Sequence, residues 1–367
     1  MAADPERDPP HPLRRRFKSY IFSPYTYAIA LGLIGGGLFA WFGAPLAWLL
    51  GAMTFTTVAA IGGVNVRVHD RLRTVMIIVL GVMLGSTFRP ELVHQIPGWG
   101  VATILTLLVL VVMTVIAFGF LRLVGRHDPI TAYFSSTPGG VNSMVIVGEE
   151  AGGNVRTISL THAVRILIVV SVVPFYFRVA QGIHVPAQPA GAASVIGYGG
   201  LEALILIGCG VIGFPLGKLL RLPTPSLLGP TIVSAAAHMT GLSHVPPPVE
   251  FIALAQVVIG AAIGSRFAGV TFGEIWKTAL SAAGSALVMI GLVALIAPLA
   301  AELAGVSSAA MFLALVPGGL AEMALIALSL GVDTAFVSTM HILRIAFVIG
   351  VAPIAFKLWE NRSARRG

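Results

Sequence analysis

Two copies of a His-x-x-Arg motif are the residues of this chain best suited to chemistry. His162 precedes Arg165 by three positions, and His341 precedes Arg344 by the same spacing. Residues three apart lie on one face of a helix. Each motif lies in an apolar segment, where an arginine is costly and must find acceptors inside the protein. Two roles stay open: the arginines hold an anionic substrate, or each guanidinium ties down backbone carbonyls nearby.

A Pro-Gly-Gly sequence precedes each motif by 24 positions. Proline removes a backbone donor and glycine tolerates non-helical torsions, so we expect a broken helix there, with a kink in a continuous helix as the alternative. Freed backbone groups cannot face lipid and must be buried or line a wet cavity. Matching interruptions in two halves indicate a transporter binding site. The candidate substrate-binding residues at the breaks are Pro138, Gly139, Gly140, Asn142 and Ser143 in the first half, and Pro317, Gly318, Gly319 and Glu322 in the second.

The polar residues just after the breaks differ between the two halves. Glu322 lies three residues beyond Gly319, at the position where the first half has Ser143. It is the candidate for a proton-coupled or cation-binding carboxylate, and a salt bridge to one of the two motif arginines is the alternative. Asn142 is expected to offer its amide to a ligand. Asp333 is expected to cap the helix that follows it, because aspartate is a favoured N-cap residue.

The composition places these residues in a membrane. Of 367 residues, 56% are hydrophobic and 10% are charged, whereas soluble domains carry about a quarter of their residues as charged ones. No soluble fold can hide that much apolar surface. The segments 99–121 and 279–301 contain no charge, and each is long enough to cross a hydrocarbon core of about 30 Å. The sequence therefore predicts an all-α polytopic membrane protein.

The second half of the chain repeats the first. A shift of 178 or 179 residues aligns the breaks, the His-x-x-Arg motifs and further pairs: Gly35 and Gly213, Gly51 and Gly229, Gly81 and Gly260, Gly85 and Gly264, Ser159 and Ser338, and Pro174 and Pro353. Tandem duplication explains this collinear series. We divide the chain into a cytoplasmic tail (1–23), a first membrane repeat (24–180), a periplasmic linker (181–200), a second membrane repeat (201–358) and a cytoplasmic tail (359–367).

The distribution of lysine and arginine predicts that the two repeats are inverted. If each Pro-Gly-Gly segment enters and leaves the membrane on one side, each half has five crossings, and the odd number inverts the second half. From a cytoplasmic N-terminus, 19 Lys and Arg then face inward and 2 outward. If all segments cross, 15 face inward and 6 outward. The positive-inside rule favours two inverted repeats of about five transmembrane helices, each with a broken or re-entrant segment.

These motifs resemble the AbrB duplication family of bacterial inner-membrane proteins. Members carry two copies of a membrane domain, each with a Pro-Gly-Gly segment followed by a helix with His-x-x-Arg, and the resemblance covers about residues 25–358. Family members are variously labelled AbrB family regulators or ammonia monooxygenases. The family is also similar to antiporter and anion-transporter folds with inverted five-helix repeats, which implies transport by analogy of fold.

Several activities lack their sequence signals. The chain has no GxxxxGK[ST] loop, no HExxH, no CxxC and no recognisable DNA-binding module. We therefore expect no enzyme activity, no cofactor, no metal site and no nucleic-acid partner. The sequence favours a secondary transporter of a small solute, with an anion as the class that the arginines suggest, driven by H⁺ or Na⁺. A membrane-embedded ligand sensor that regulates gene expression is the alternative, and a membrane monooxygenase is the weaker one. A homodimer is expected by analogy alone.

Overall fold

The structure is a computed structural model that describes residues 23–88, 90, 98–180, 182, 194–196, 198–269 and 272–364. Side chains at Asn142, 272–275 and 360–364 lie outside the described part, as does the side chain of Ala180. Of the predicted tail 1–23, only residue 23 is described, and of the predicted linker 181–200 only residues 182, 194–196 and 198–200 are described. The helix that begins at Thr334 continues to Ala364, beyond the repeat boundary at 358 that the sequence predicts.

The described residues form fourteen α-helices and no strand. A short 3₁₀ helix, Ser265–Phe267, follows the tenth. The α-helices are α1 (Pro24–Trp41), α2 (Ala47–Ile61), α3 (Asp70–Gly85), α4 (Trp99–Leu123), α5 (Pro129–Ser136), α6 (Val141–Glu150), α7 (Val155–Ala180), α8 (Gly200–Leu219), α9 (Pro225–Met239), α10 (Val249–Gly264), α11 (Phe272–Ala304), α12 (Ser308–Leu315), α13 (Leu320–Ser329) and α14 (Thr334–Ala364).

The seven helices of the first half recur in the second half in the same order. The correspondence is clearest around the two breaks. Helices α5 and α12 each have 8 residues, and α6 and α13 each have 10. The long helices that follow, α7 and α14, each contain an internal proline, at Pro174 and Pro353. The sequence duplication is therefore also a duplication of helical elements.

The two halves interleave to make two helical bundles. In the first bundle, α1 packs on α2, α2 on α10, α10 on α3, α3 on α9 and α9 on α8. In the second bundle, α11 packs on α4, α7 and α12, while α7 contacts α5 and α6, and α14 contacts α12 and α13. Each bundle thus contains matched helices from both halves. Both breaks and both His-x-x-Arg motifs belong to the second bundle.

Glycine pairs let helices of the first bundle cross at very short distance. A Cβ atom on Gly51 would collide with the backbone carbonyl of Gly35, so α1 and α2 touch backbone to backbone. The same collision joins Gly229 to Gly213 between α9 and α8. Small residues at helix crossings are typical of membrane proteins, where van der Waals packing drives association. The glycines therefore fix the geometry of the first bundle.

The outer surface and the lengths of the helices fit a bilayer. Six helices in the described part are long and apolar enough to cross a membrane. Along α4, Ile104, Leu108, Val111 and Val115 are all exposed. Residues at that spacing lie along one face of a helix, so this face is continuously apolar and suited to lipid contact. The chain is therefore a multi-pass membrane protein.

Candidate functional site

The first Pro-Gly-Gly segment joins two short helices that fold back on each other. Helix α5 ends at Ser136 and α6 begins at Val141. A Cβ atom on Gly148 would lie 3.2 Å from the Cβ of Phe134, so these two helices are in direct contact. The backbone N–H of Asn154 also donates to Thr131 Oγ1 at 2.8 Å. Contacts between residues so far apart in sequence require an antiparallel pair, which we call the first hairpin (α5–α6).

The second half contains the same arrangement. Helices α12 and α13 are separated by the break at 316–319. Ala310, near the start of α12, and Asp333, just after α13, line one pocket of about 500 Å³. They occupy the positions that match Thr131 and Asn154. Helices α12 and α13 are also in direct contact with each other, as α5 and α6 are, and they form the second hairpin.

Capping residues start the helices of both hairpin regions. Asp128 Oδ1 accepts a hydrogen bond from the Thr131 N–H at 2.9 Å and caps α5, while Ser307 caps α12. Asp333 Oδ1 accepts from the Phe336 N–H at 3.0 Å, which confirms the predicted cap of α14. Side-chain caps of this kind satisfy the otherwise unpaired first N–H groups of a helix.

Two titratable groups lie in the loop that leads into the first hairpin. Burial lowers the pKa of the His127 imidazole, against the opposing effect of the Asp128 charge. Burial alone would raise the pKa of Asp128, but hydrogen bonds from Thr131 outweigh it and hold that pKa below its ordinary value. A charged Asp128 also interacts favourably with the positive end of α5.

In the first half, the motif residues hold the carbonyls at the end of α5. His162 Nε2 lies 3.0 Å from the carbonyl oxygen of Phe134. A carbonyl can only accept, so Nε2 carries the proton and the other ring nitrogen, Nδ1, accepts from Arg165 Nη2 at 2.6 Å. Arg165 Nη1 donates to the Ser135 carbonyl at 3.3 Å. This geometry assigns a neutral imidazole beside a charged guanidinium.

In the second half, the same contacts recur and are more numerous. His341 Nε2 donates to the Leu313 carbonyl at 2.9 Å, and its Nδ1 accepts from Arg344 Nη2 at 2.8 Å. Arg344 donates to two further carbonyls, those of Val316 at 2.7 Å and Gly318 at 2.8 Å. We call each His-Arg pair with its carbonyls a staple. Arg344 therefore has three acceptors, and Arg165 has two.

The staples match one of the two roles that the sequence left open. The last carbonyls of a helix have no partner within the helix, and each staple satisfies them where the break occurs. Both histidines and both arginines are buried. Each arginine keeps one buried atom, Nε, without a hydrogen-bond partner among the described residues. The contacts present are those of arginines that tie down backbone carbonyls.

The residues of the breaks pack against the opposite half or against each other. Pro138 and Pro317 are buried. A Cβ atom on Gly139 would collide with Val348 of α14, so the first break lies against the second half. Ser143 is half-buried in the first turn of α6, and its Oγ would lie 3.6 Å from a Cβ on Gly140. For Asn142, the structure places the backbone in α6.

The sequence suggested a salt bridge from Glu322 to Arg165 or Arg344 as an alternative role, and the structure places the Glu322 carboxylate elsewhere. A Cβ atom on Gly319 would collide with the Glu322 carboxylate, so this side chain folds back over the start of α13. Its charge also acts on the guanidinium of Arg266. In the described part of the chain, the carboxylate therefore has Arg266 as its charged neighbour, where the sequence alternative named Arg165 or Arg344.

A cavity of about 620 Å³ lies between the two bundles beside the first break. The first bundle contributes Arg73 and Arg266, and the second contributes Val141, Arg156 and Ser159. All three arginines are among the 19 positive charges that the charge distribution predicts on the cytoplasmic side. Two features of the sequence pointed to this wall: the Pro-Gly-Gly break directly before Val141, and Ser159, which lies three positions before His162.

Comparison with known protein families assigns this chain to one family. The profile described as "Transition state regulatory protein AbrB" matches residues 48–360. The chain belongs to the AbrB family. The match covers both hairpins, both staples and all the residues named at the cavity, so the whole candidate site lies in the shared region.

Two known proteins are similar to this chain along nearly their full lengths. A Bacillus subtilis (strain 168) protein named "Uncharacterized protein YhjN" is 25% identical over 358 residues, with 91% of this chain and 92% of the relative covered. An Escherichia coli (strain K12) protein named "Putative regulator AbrB" is 24% identical over 332 residues, with 88% and 92% covered. Each similarity therefore spans sequence from both repeats.

Proposed function

We propose that this AbrB-family protein is a secondary transporter that moves a small solute across the bacterial inner membrane by alternating access. The observation that carries the proposal is the cavity of about 620 Å³ that lies between two bundles and reaches the first helix break. Its size suits a small-molecule ligand. Transporters with repeated folds bind their substrates where broken helices meet the repeat interface.

The two bundles are suited to move relative to each other. Their shared apolar patch is rich in small side chains, with Ala28, Ala60 and Ala261 on the first bundle and Ala163 and Ala282 on the second. Small side chains leave few interlocking contacts, so one surface can shift over the other. The staples keep each hairpin rigid during such a movement. Alternating access then follows from the rocking of one bundle against the other.

The proposal includes inverted repeats with both termini in the cytoplasm. The fold-back of both hairpins supports it, because a hairpin that returns to its starting side leaves five crossings in each half. The 19-to-2 division of Lys and Arg supports the same arrangement. Glu322, in the first turn of α13 just after the second break, is the proposed coupling group for H⁺ or Na⁺. We also propose that the protein is not an enzyme, needs no cofactor or metal, binds no nucleic acid and forms a homodimer.

The test is transport by the purified full-length protein in proteoliposomes. Vesicles are incubated with a mixture of small polar metabolites, with and without imposed pH or sodium gradients, and their contents are measured by mass spectrometry. We expect at least one solute to accumulate above the level in protein-free vesicles, and only with a gradient. The name of the Escherichia coli relative points to a regulator. Saturable binding without any accumulation would favour a sensor and contradict transport.

A further inference from the structure

The cavity between the bundles has a strongly positive wall. Arg73 comes from α3, Arg266 from the 3₁₀ helix after α10, and Arg156 from the first turn of α7. Among the lining residues that the structure describes, no Asp or Glu is present. Like charges in a crevice of low dielectric repel each other strongly. Such a wall is stable when an anion occupies it.

Two of these guanidinium groups are available to a ligand. The guanidinium groups of Arg73 and Arg266 donate no hydrogen bond and form no ion pair with any residue in the described ranges. The Arg266 charge is within range of Arg73, which repels it, and of Glu322, which attracts it. Arg156 already has an interaction partner and is left out of the proposal. The free donors therefore belong to the first bundle.

The opposite wall, from the second bundle, offers donors of another kind. Helix α6 begins at Val141, which lines the cavity, and its N-cap Gly140 provides no side-chain hydrogen bond. The first N–H groups of such a helix have no partner within the helix and carry partial positive charge. The Ser159 hydroxyl lines the same wall. An anion between the two walls would be bound by both bundles.

The duplication separates these arginines from those that the fold requires. The staple arginines occur in both halves, as expected of residues that each hairpin needs. Shifting by 179 positions matches Arg73 to Ile252, and Arg266 to Thr87. The positive charge is therefore absent from the related positions in the other half. The packing of the repeated fold therefore does not require these two charges, which leaves them to membrane orientation and to ligand binding.

We infer that this cavity binds a small solute anion through its carboxylate or phosphate groups, with Arg73 and Arg266 as the principal ligands. The planar fork of arginine matches both groups in a bidentate manner. Two separate guanidinium groups favour a molecule with two or more negative charges. The inference rests on the proposed function in one respect: it names the substrate class of that transporter.

The experiment measures binding to the full-length protein in nanodiscs of phosphatidylcholine, a zwitterionic lipid without net charge. Isothermal titration is carried out with citrate, succinate and inorganic phosphate, and with glucose and glycine betaine as uncharged and zwitterionic probes. We expect saturable binding of at least one anion and none of the other two probes. Arg73→Gln and Arg266→Gln should each weaken the anion affinity by about tenfold or more, the loss expected for one charge-assisted contact.

Arg67→Gln is the matched control, because it removes one positive charge from the same end of the first bundle. Arg67 lines a separate pocket beside Asp70, so its loss should leave the anion affinity unchanged. If all three variants weakened anion affinity equally, the loss would reflect the change in net charge, and the proposed binding site would be contradicted. Thermal unfolding of each variant shows whether it is folded. A folded Arg73→Gln or Arg266→Gln protein with wild-type affinity would likewise overturn it.

A second arm distinguishes a soluble anion from a lipid headgroup. Nanodiscs that contain phosphatidylglycerol should bind the anion with nearly the same affinity. Complete loss of binding in those discs, restored in phosphatidylcholine, would assign the arginines to a headgroup and contradict the inference. Anion binding without flux would support this inference and contradict the proposed transport function. Flux of an uncharged solute without anion binding would support transport and contradict this inference.

Discussion

At the scale of single residues, the buried arginines and the broken helices satisfy each other. A guanidinium inside a membrane protein lacks water as an acceptor, and the end of a broken helix lacks donors for its last carbonyls. Arg344 meets both needs at once, since it donates to the Val316 and Gly318 carbonyls and to the ring of His341. The histidine completes the staple with a donated hydrogen bond of its own.

The two staples differ in the number and length of their hydrogen bonds, which predicts unequal effects of mutation. Arg344 has three acceptors at 2.7–2.8 Å, whereas Arg165 has one at 2.6 Å and one at 3.3 Å. A buried polar group left without its partner costs about 1–3 kcal/mol. Arg344→Ala should therefore lower the thermal unfolding temperature in detergent more than Arg165→Ala does.

Lysine variants at the same positions provide the control for charge. Lysine keeps the positive charge but loses the planar fork that reaches two acceptors. Arg344→Lys should recover only a minor part of the lost stability. A larger loss from Arg165→Ala than from Arg344→Ala would contradict the assignment of the staples.

At the scale of helices, the glycine crossings define the first bundle. A Cβ atom on Gly51 or Gly229 meets the backbone of the facing helix, which cannot move away as a flexible side chain can. Gly51→Ala and Gly229→Ala should each destabilise the protein by an amount typical of overpacking, about 1–3 kcal/mol. Gly37→Ala is the control, since no atom lies within 4 Å of the added methyl group.

The readout is the unfolding temperature of each purified variant in one detergent. Alanine favours a helix over glycine by up to about 1 kcal/mol, so Gly37→Ala should be neutral or slightly stabilising. Gly51→Ala with the same unfolding temperature as Gly37→Ala would show that the helices do not cross as described.

Some features of these elements could be predicted from the sequence because their signals are local. The helix breaks follow from the backbone torsions that proline and glycine allow at Pro138-Gly139-Gly140 and at the matching segment of the second half. The His-x-x-Arg motifs could be recognised because each occurs at the same position in both halves. The fold-back of α6 on α5 depends on Gly148 accommodating Phe134, a contact that no local pattern encodes. The cavity between the two bundles could not be predicted either, because no local pattern brings its lining residues together. Arg73 and Arg266 are far apart in sequence, and each alone resembles an ordinary loop charge.

At the scale of the whole molecule, the inverted arrangement predicts which loops face the cytoplasm. Residues between α2 and α3 should be cytoplasmic, and the linker before α8 should be periplasmic. The chain has one cysteine, Cys209, which is buried, so Cys209→Ala provides a cysteine-free background. Ile196, with 92% of its surface exposed, and Val64, which is also exposed, are suitable positions for single cysteines.

An impermeant thiol reagent added to intact cells tests this arrangement. Ile196→Cys should be labelled from outside, and Val64→Cys should be labelled only after the cells are permeabilised. Labelling of both positions in intact cells would contradict inverted repeats with cytoplasmic termini.

The central claim, transport by relative movement of the two bundles, is tested most directly by locking them together. Arg178 of the second bundle donates from Nη1 to the Gly43 carbonyl of the first at 2.9 Å, and Phe42 beside it is exposed. Cysteines at 42 and 178, in the Cys209→Ala background, can be joined by a short reagent with a reducible arm. Flux of the bound anion is then measured in proteoliposomes, with the Phe42→Cys single variant as control. We predict that cross-linking stops flux but not binding and that reduction restores flux, whereas full flux through the cross-linked protein would contradict the account.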